Sequence, residues 1–223
     1  MHHPSFPTDE TPLLLLDEEA VKGGQAVEAL AQENQRLRAK EAFLNRLLLA
    51  MTLLTRHRSI ASGDLPAAFR DITRMAARSV AVQRASIWFL DPARTLLTCA
   101  CIFDGIEDLH AEGARLPAGQ YPAYFAEIER GRVIAAEDAI HDPRTREFAQ
   151  SYLLPLGIRS MLDVPIKLGD RLAGVVCLEH TGPARTWQPE EQQFAAFVSS
   201  LVSLAVESSE RLSQPQSQAE HRA

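Results

Sequence analysis

Apolar residues recur every seven positions between Ala26 and Arg58, in a segment that contains neither glycine nor proline. The two seam positions are filled by Leu30, Leu37, Leu44 and Met51 and, alternately, by Val27, Asn34, Glu41, Leu48 and Thr55. This heptad pattern predicts a coiled-coil helix over 26–58. We expect it to pair with a second copy through Leu30, Asn34, Leu37, Leu44, Leu48 and Met51, with Asn34 fixing the register. The alternative is an amphipathic helix that packs only on its own domain.

After a break at 59–64, helical and strand periods alternate along the chain. Strands are predicted at 85–90, 95–103, 132–136, 160–167 and 172–179, and helices beginning near Asp64, Pro122, Asp142 and Pro189. In the second strand both alternating faces are apolar, with Cys99 and Cys101 expected on one of them. A sheet of this kind is covered on both sides, which indicates an α+β fold.

Both ends of the chain lack these periods. Residues 1–25 are rich in proline, glycine and acidic side chains, and residues 211–223 are polar, so both segments are predicted to be disordered. The resulting division is a disordered segment over 1–25, a dimerisation helix over 26–58, a globular domain over 59–210 and a disordered tail over 211–223.

The charge of the chain bears on its partners. A formal net charge of −6 over 223 residues argues against a general binder of nucleic acid or of anionic membranes. The longest early apolar run, Leu13–Leu16, is far shorter than the roughly 20 residues of a membrane helix. We therefore expect a cytoplasmic protein with no nucleic-acid and no membrane partner.

The three cysteines, Cys99, Cys101 and Cys177, are odd in number and form no pair separated by two residues. Buried free thiols are therefore favoured over a disulfide framework or a structural zinc site. The histidines at 110, 141 and 180 show no metal-binding spacing. We expect no metal, no cofactor and no catalytic residues, although a thiol redox role stays open as an alternative.

Five segments in a fixed order resemble one family. They are YPAYFAEIERGRVIAAEDA at 121–139, DPRTREF at 142–148, YLLPLGIRSMLDVPI at 152–166, GVVCLEH at 174–180 and RTWQPEEQ at 185–192. Together they resemble GAF domains, relatives of the PAS fold, of the type attached to bacterial histidine kinases and diguanylate cyclases. The resemblance implies a central antiparallel sheet of five or six strands with helices on both faces. Terminal helices would build the dimer, and short helices and loops would roof a pocket on the other face.

Departures from the sequence patterns of three GAF subfamilies argue against their ligands. Bilin-binding GAF domains place a paired cysteine and histidine ahead of the tyrosine segment, and here no cysteine lies between Cys101 and Cys177. The signature of cyclic-nucleotide-binding GAF domains is absent. The spacing of Cys99, Cys101 and Cys177 also does not reproduce the arrangement of the GAF proteins that reduce free methionine sulfoxide. The resemblance therefore identifies a fold without identifying a ligand.

Polar residues near the implied pocket form the candidate ligand-binding set: Asp138, Arg144, Tyr152, Arg159, Asp163 and Cys177. Arg159 and Asp163 are four apart on a predicted strand, so they are expected to share a face and to pair or to grip a polar ligand. The alternative is a structural network that fixes loops against the sheet.

The resemblance implies a stand-alone sensory module, which we expect to bind an unidentified small molecule and to signal through a helical dimer, without being an enzyme. A histidine kinase or a cyclic-di-GMP enzyme is the class of partner that the resemblance implies. The alternatives are a ligand-free dimerisation scaffold and a cysteine-based redox sensor or reductase.

Overall fold

The computed structural model describes the backbone of residues 12–213 and the side chains of residues 21–213. The chain separates into two compact units, Met1–Asn45 and Arg46–Ala223. The first consists of helix in its described part, and the second holds the sheet and the remaining helices.

Helix α1 spans Pro12–Thr55, so the predicted disorder of residues 1–25 is wrong from Pro12 onward. Proline is tolerated in a first helical turn, and the residues that follow it are mostly good helix formers. Gly23 and Gly24 each weaken the helix by roughly 1 kcal/mol relative to alanine without interrupting it. Residues 1–11, the rest of that prediction, lie outside the described part.

Two helices follow, α2 (Arg58–Ala61) and α3 (Leu65–Ser79). The predicted cap at Asp64 is confirmed, because its carboxylate accepts a hydrogen bond of 3.0 Å from the backbone N–H of Ala67. Pro66 lies in the first turn of α3, where no intrahelical N–H is required.

The second unit is built on one antiparallel sheet of seven strands: β1 (Arg84–Leu90), β2 (Leu96–Asp104), β3 (Leu109–Ala111), β4 (Arg115–Pro117), β5 (Ile134–Ala136), β6 (Ile158–Leu168) and β7 (Arg171–Thr181). Their order is β3-β2-β1-β7-β6-β5, and β4 also pairs with β2. The α+β class is confirmed. The strand count exceeds the predicted five or six because β3 and β4 are only three residues long and lie in a glycine-rich stretch.

A β-bulge in β2 places Cys99 and Cys101 on opposite faces, so the expectation of a shared face is wrong. Trp88 pairs with Cys99 and its neighbour Ile87 pairs with Cys101, which leaves Ala100 as the extra residue. Because Ile87 and Trp88 point to opposite sides of the sheet, so do their two partners.

Helices cover both faces of the sheet, as the apolar strands predict. Helix α3 and the last helix, α5 (Pro189–Ser213), pack on one face. Helix α4 (Pro122–Glu129) and residues 146–153 cover the other face, and we call this second cover the roof. Helix α5 includes the first three residues of the tail predicted to be disordered at 211–223, and residues 214–223 lie outside the described part.

The helix predicted to open at Asp142 does not form as one element. Residues 142–145 make turns, and a short 3₁₀ helix, Arg146–Phe148, leads into one π-helical turn, Ala149–Leu153. The Asp142 carboxylate binds the backbone N–H and the guanidinium group of Arg144. This local binding competes with helical hydrogen bonding.

The N-terminus of α5 is capped by Glu191 although Gln188 is a poor cap. Glu191 accepts a hydrogen bond of 2.9 Å from the backbone N–H of Gln188. This is one half of a capping box, in which the third helical residue reaches back to the residue before the helix.

Candidate functional site

A small cavity lies between the sheet and the roof. Its volume is about 30 Å³, and apolar side chains form most of its wall: Trp88, Leu97, Leu116, Phe148, Met161 and Val175. The polar groups that reach it belong to Tyr124, Tyr152, Cys177 and Glu179. A space of this size holds about one or two water molecules.

Aromatic rings of the roof close this cavity. Phe148 stacks on Tyr121 with ring centroids 4.3 Å apart and meets the edge of Tyr124 at 4.8 Å. Tyr152 meets Phe148 edge-on, with ring centroids 6.5 Å apart. The three rings around Phe148 therefore fill the space that a ligand of more than a few atoms would need.

Three buried polar side chains, those of Tyr124, Asp163 and Cys177, form a cluster next to the cavity. The Tyr124 hydroxyl donates a hydrogen bond of 2.7 Å to Asp163 Oδ2 and lies 3.9 Å from Cys177 Sγ. Asp163 is 1% exposed, and its Oδ1 atom has no hydrogen-bond partner among the described residues. Burial raises the pKa of Asp163 to about 7, against the opposing effect of the Tyr124 hydrogen bond.

A second buried carboxylate, Glu179, lies two residues along the same face of β7. It accepts hydrogen bonds of 2.8 and 2.9 Å from the Tyr152 hydroxyl. It also pairs with Arg84, whose guanidinium group contacts Asp104 as well. Burial raises the pKa of Glu179, and the adjacent Arg84 opposes that rise. This network links the roof to the sheet.

The structure divides the predicted ligand-binding set. Tyr152 and Cys177 line the cavity, and Asp163 contacts the cavity-lining Tyr124. Asp138 and Arg159 instead form an ion pair of 2.7 Å with each other, and both are about one-third exposed.

The expected pairing of Arg159 with Asp163 is wrong. Ile158 pairs with Thr181 and Ser160 pairs with His180, so Arg159 is the extra residue of a second bulge. Because of this bulge, Arg159 does not lie on the same face of β6 as Asp163. Arg144 binds Asp142 and donates a hydrogen bond of 3.1 Å to the carbonyl of Ala135. Arg144 therefore holds its loop against β5.

Three residues of the site escaped the sequence analysis: Tyr124, Glu179 and Arg84. Glu179 was accessible from strand alternation, because it lies two residues after Cys177 on one strand and therefore shares its face. Tyr124 lies on α4, beside the equally buried Phe125, and only the fold shows that its hydroxyl reaches β6.

The three thiols are buried and free. Burial raises the pKa of Cys99 to about 12, raises that of Cys101, and raises that of Cys177 well above its usual value. A thiol with a raised pKa supplies little of the thiolate that attacks or is oxidised.

Two further findings concern the described residues as a whole. No group of three histidine, cysteine, aspartate or glutamate residues within them is arranged to hold a metal ion. None of their helices combines the length and the apolar character that a bilayer crossing requires.

Comparison with known proteins places this geometry in a family. The circadian input-output histidine kinase CikA of Thermosynechococcus vestitus is 30% identical over 114 residues, which cover 51% of this chain and 15% of CikA. The chain thus corresponds to a small part of that protein's length.

Two solved structures share the fold. The PixJ GAF domain of Thermosynechococcus elongatus, in its blue-light-absorbing form, has a TM-score of 0.60 at 22% identity over 72% of this chain and 95% of that one. The free methionine-R-sulfoxide reductase of Neisseria meningitidis has a TM-score of 0.58 at 14% identity, over 76% and 91%. The sequence model of the GAF domain matches residues 64–206, more than half of the chain, and the protein belongs to the GAF domain family.

Proposed function

We propose that this chain is a sensory module that binds a small molecule between the sheet and the roof and signals through a helical dimer. The observation that carries the proposal is the buried Asp163 carboxyl group beside the cavity, with Oδ1 unpartnered among the described residues. An unsatisfied buried polar group costs about 1–3 kcal/mol, so its retention favours a functional partner. A donor group on a ligand would satisfy it.

The ligand must displace part of the roof, because the cavity of about 30 Å³ is too small for it. Phe148 and Tyr152 are the rings that would move. Tyr152 is bonded to Glu179, and Glu179 to Arg84, so a displaced roof would disturb the sheet beneath it. A ligand that binds only the open arrangement shifts the population toward it.

We propose that the signal leaves the domain through the α1 seam, the row of heptad a and d positions through which helix α1 would pair with a second copy. Leu30, Leu37 and Leu48 are between 56% and 71% exposed in the single chain, and Asn34 and Leu44 also lie on this helix. Exposed leucines at heptad spacing are typical of a helix that pairs with another copy. Met51 completes the proposed dimerisation set.

The proposed partner is a histidine kinase or a cyclic-di-GMP enzyme. Under this proposal the partner supplies the catalytic activity, and the chain has none of its own. The partial match to a histidine kinase supports the first of these two classes.

The test is native mass spectrometry of freshly purified protein, followed by a thermal-shift screen of small metabolites. A ligand is expected to co-purify or to raise the Tm. Asp163→Asn should abolish that response, whereas Arg132→Gln, an exposed change away from the cavity lining, should retain it. If no species co-purifies and no compound stabilises the protein, the sensor proposal is wrong.

A second candidate is a ligand-free dimerisation scaffold, and the small volume of the cavity favours it. In that case the packed rings of Tyr121, Phe148 and Tyr152 serve only as part of the hydrophobic core. Phe148→Ala would then lower the Tm without creating affinity for any screened compound, and dimerisation would be unchanged.

A further inference from the structure

Three arginines lie along one line of helix α3. Arg70, Arg74 and Arg78 are spaced by four residues, which places them on successive turns of the same side. Like charges at this spacing destabilise a helix by a few tenths of a kcal/mol per pair. Three arginines on one side of a helix, in a chain of net charge −6, form a local positive patch that attracts negatively charged groups.

Only one of the three has an acidic partner in the part of the chain that the structure describes. Arg78 pairs with Asp108 at 3.2 Å, whereas Arg70 and Arg74 form no ion pair there. The Arg74 guanidinium group lies over the Phe103 ring, 5.4 Å from its centroid. Its Nε atom is buried and has no acceptor among the described residues. The Arg74 charge is therefore not neutralised by a carboxylate of the described residues.

A recess opens beside this line, between α3 and strands β2 and β3. Its volume is about 220 Å³, and Arg70, Cys101, His110 and Glu112 contribute to its wall. It lies on the face of the sheet that α3 and α5 cover, and it shares no lining residue with the roof cavity. Pockets for drug-sized ligands span roughly 300–1,000 Å³, so this recess fits a smaller molecule.

His110 reports the local charge. Its Nε2 atom donates a hydrogen bond of 3.2 Å to the Arg70 carbonyl, and its ring lies 5.0 Å from that of Phe103. Burial lowers the pKa of His110, and the charges of Arg74 and Arg70 lower it further. The hydrogen bond to the Arg70 carbonyl and the charge of Asp108 oppose this lowering of the His110 pKa. Glu112 opposes the arginine charges, and it and Arg70 are both exposed, so solvent screens the two charges alike.

We propose that this recess binds the carboxylate or phosphate group of a small anionic ligand through the guanidinium group of Arg70, with the charge of Arg74 on the next turn of α3 adding to the attraction. The planar guanidinium fork presents two parallel N–H donors to such a group. The site is independent of the roof cavity, so it stands whether or not the roof cavity binds a ligand.

The test is calorimetric titration of the full chain with inorganic phosphate and, separately, with acetate, against sodium chloride of equal ionic strength. Saturable binding is expected for at least one anion, and the two titrations show whether phosphate or carboxylate is preferred. Arg70→Gln should weaken binding by about tenfold or more. Arg132→Gln removes the same charge from an exposed position and should leave the affinity unchanged.

Arg70→Lys keeps the charge and the apolar stem but loses the fork of the lining arginine, so binding should again weaken. Asp163→Asn should bind phosphate as the wild type does, which separates this proposal from the roof cavity. The proposal is overturned if neither anion saturates beyond the chloride reference. It is equally overturned if Arg70→Gln and Arg132→Gln weaken binding to the same extent.

Discussion

The hydroxyl group of Tyr124 on α4 donates a hydrogen bond of 2.7 Å to Oδ2 of Asp163 on β6, and both residues are about 1% exposed. This bond joins the roof to the sheet at the bottom of the cavity. Since Oδ1 of the same carboxyl group has no partner among the described residues, the Tyr124 donor supplies much of the stabilisation that the buried group receives.

Tyr124→Phe removes that donor and is expected to lower the free energy of unfolding by about 1–3 kcal/mol at pH 8. The loss should be smaller at pH 5, where the Asp163 carboxyl group is protonated and needs less solvation. Urea denaturation at the two pH values measures both effects. Tyr121→Phe is the control, because the Tyr121 hydroxyl makes no hydrogen bond within residues 21–213. Equal losses in the two variants would remove the special role of Tyr124.

The raised pKa of Asp163, about 7, predicts a dependence of stability on pH. An unfolded aspartate titrates near 3.9, so between roughly pH 4 and pH 7 the folded state binds more protons than the unfolded state. The contribution of this group is therefore complete below pH 4 and is lost as the pH rises through 7. Its slope cannot exceed about 1.4 kcal/mol per pH unit.

Asp163→Asn removes this titration while keeping an acceptor for Tyr124. The difference in free energy of unfolding between wild type and variant, followed by urea denaturation from pH 4 to pH 8, should shift in favour of the variant as the pH rises. A difference that stays constant across this range would show that Asp163 titrates normally.

Arg84 is the counterion of Glu179, whose side chain is 3% exposed. Arg84→Met leaves that carboxylate buried with only the Tyr152 hydroxyl as donor, and is expected to destabilise the protein by about 3–5 kcal/mol at pH 7. The double variant Arg84→Met, Glu179→Gln removes the orphaned charge and should recover part of the loss. A double-mutant cycle by urea denaturation measures the coupling, and strictly additive losses would contradict it.

Cys99, Cys101 and Cys177 are expected to resist alkylation in the folded protein, because burial raises the pKa of each thiol. Iodoacetamide labelling followed by mass spectrometry should be on the order of a hundredfold slower at pH 8 than in urea at each cysteine. Rapid labelling of one cysteine in the folded state would instead favour the redox alternative.

Local signals predicted the elements of the GAF fold well, because they depend on neighbouring residues. The Asp64 cap, the proline-initiated helix α4 and the β6–β7 hairpin each follow from a short stretch of sequence. The two bulges do not. One extra residue at Ala100 or at Arg159 reverses the side chains beyond it, and no residue type near either position demands it.

The candidate site was predictable in part, because Tyr152 and Cys177 of the predicted set do line the cavity. Cys177 follows from β7, and Glu179 could have followed with it. The partners of Asp163 and Glu179 come from elements distant in sequence, since Tyr124 is 39 residues from Asp163 and Arg84 is 95 residues from Glu179. Such contacts depend on the complete fold, which a single sequence does not specify residue by residue.

The α1 seam predicts a dimer that a single charge disrupts. Leu37→Asp places an unpaired carboxylate at a d position, where pairing would bury it against apolar side chains, so dimer affinity should fall by about tenfold or more. Sedimentation equilibrium over a range of protein concentrations measures this change.

Leu49→Asp is the matched control for the seam. Leu49 is 59% exposed, close to the 56% of Leu37, but it follows the a position occupied by Leu48 and so lies outside the seam. The control therefore introduces the same charge on the same helix without entering the interface, and its dimer affinity should equal that of the wild type. A monomeric wild-type chain, or equal weakening by the two variants, would mean that α1 does not pair through this seam, and signal output would then require another surface.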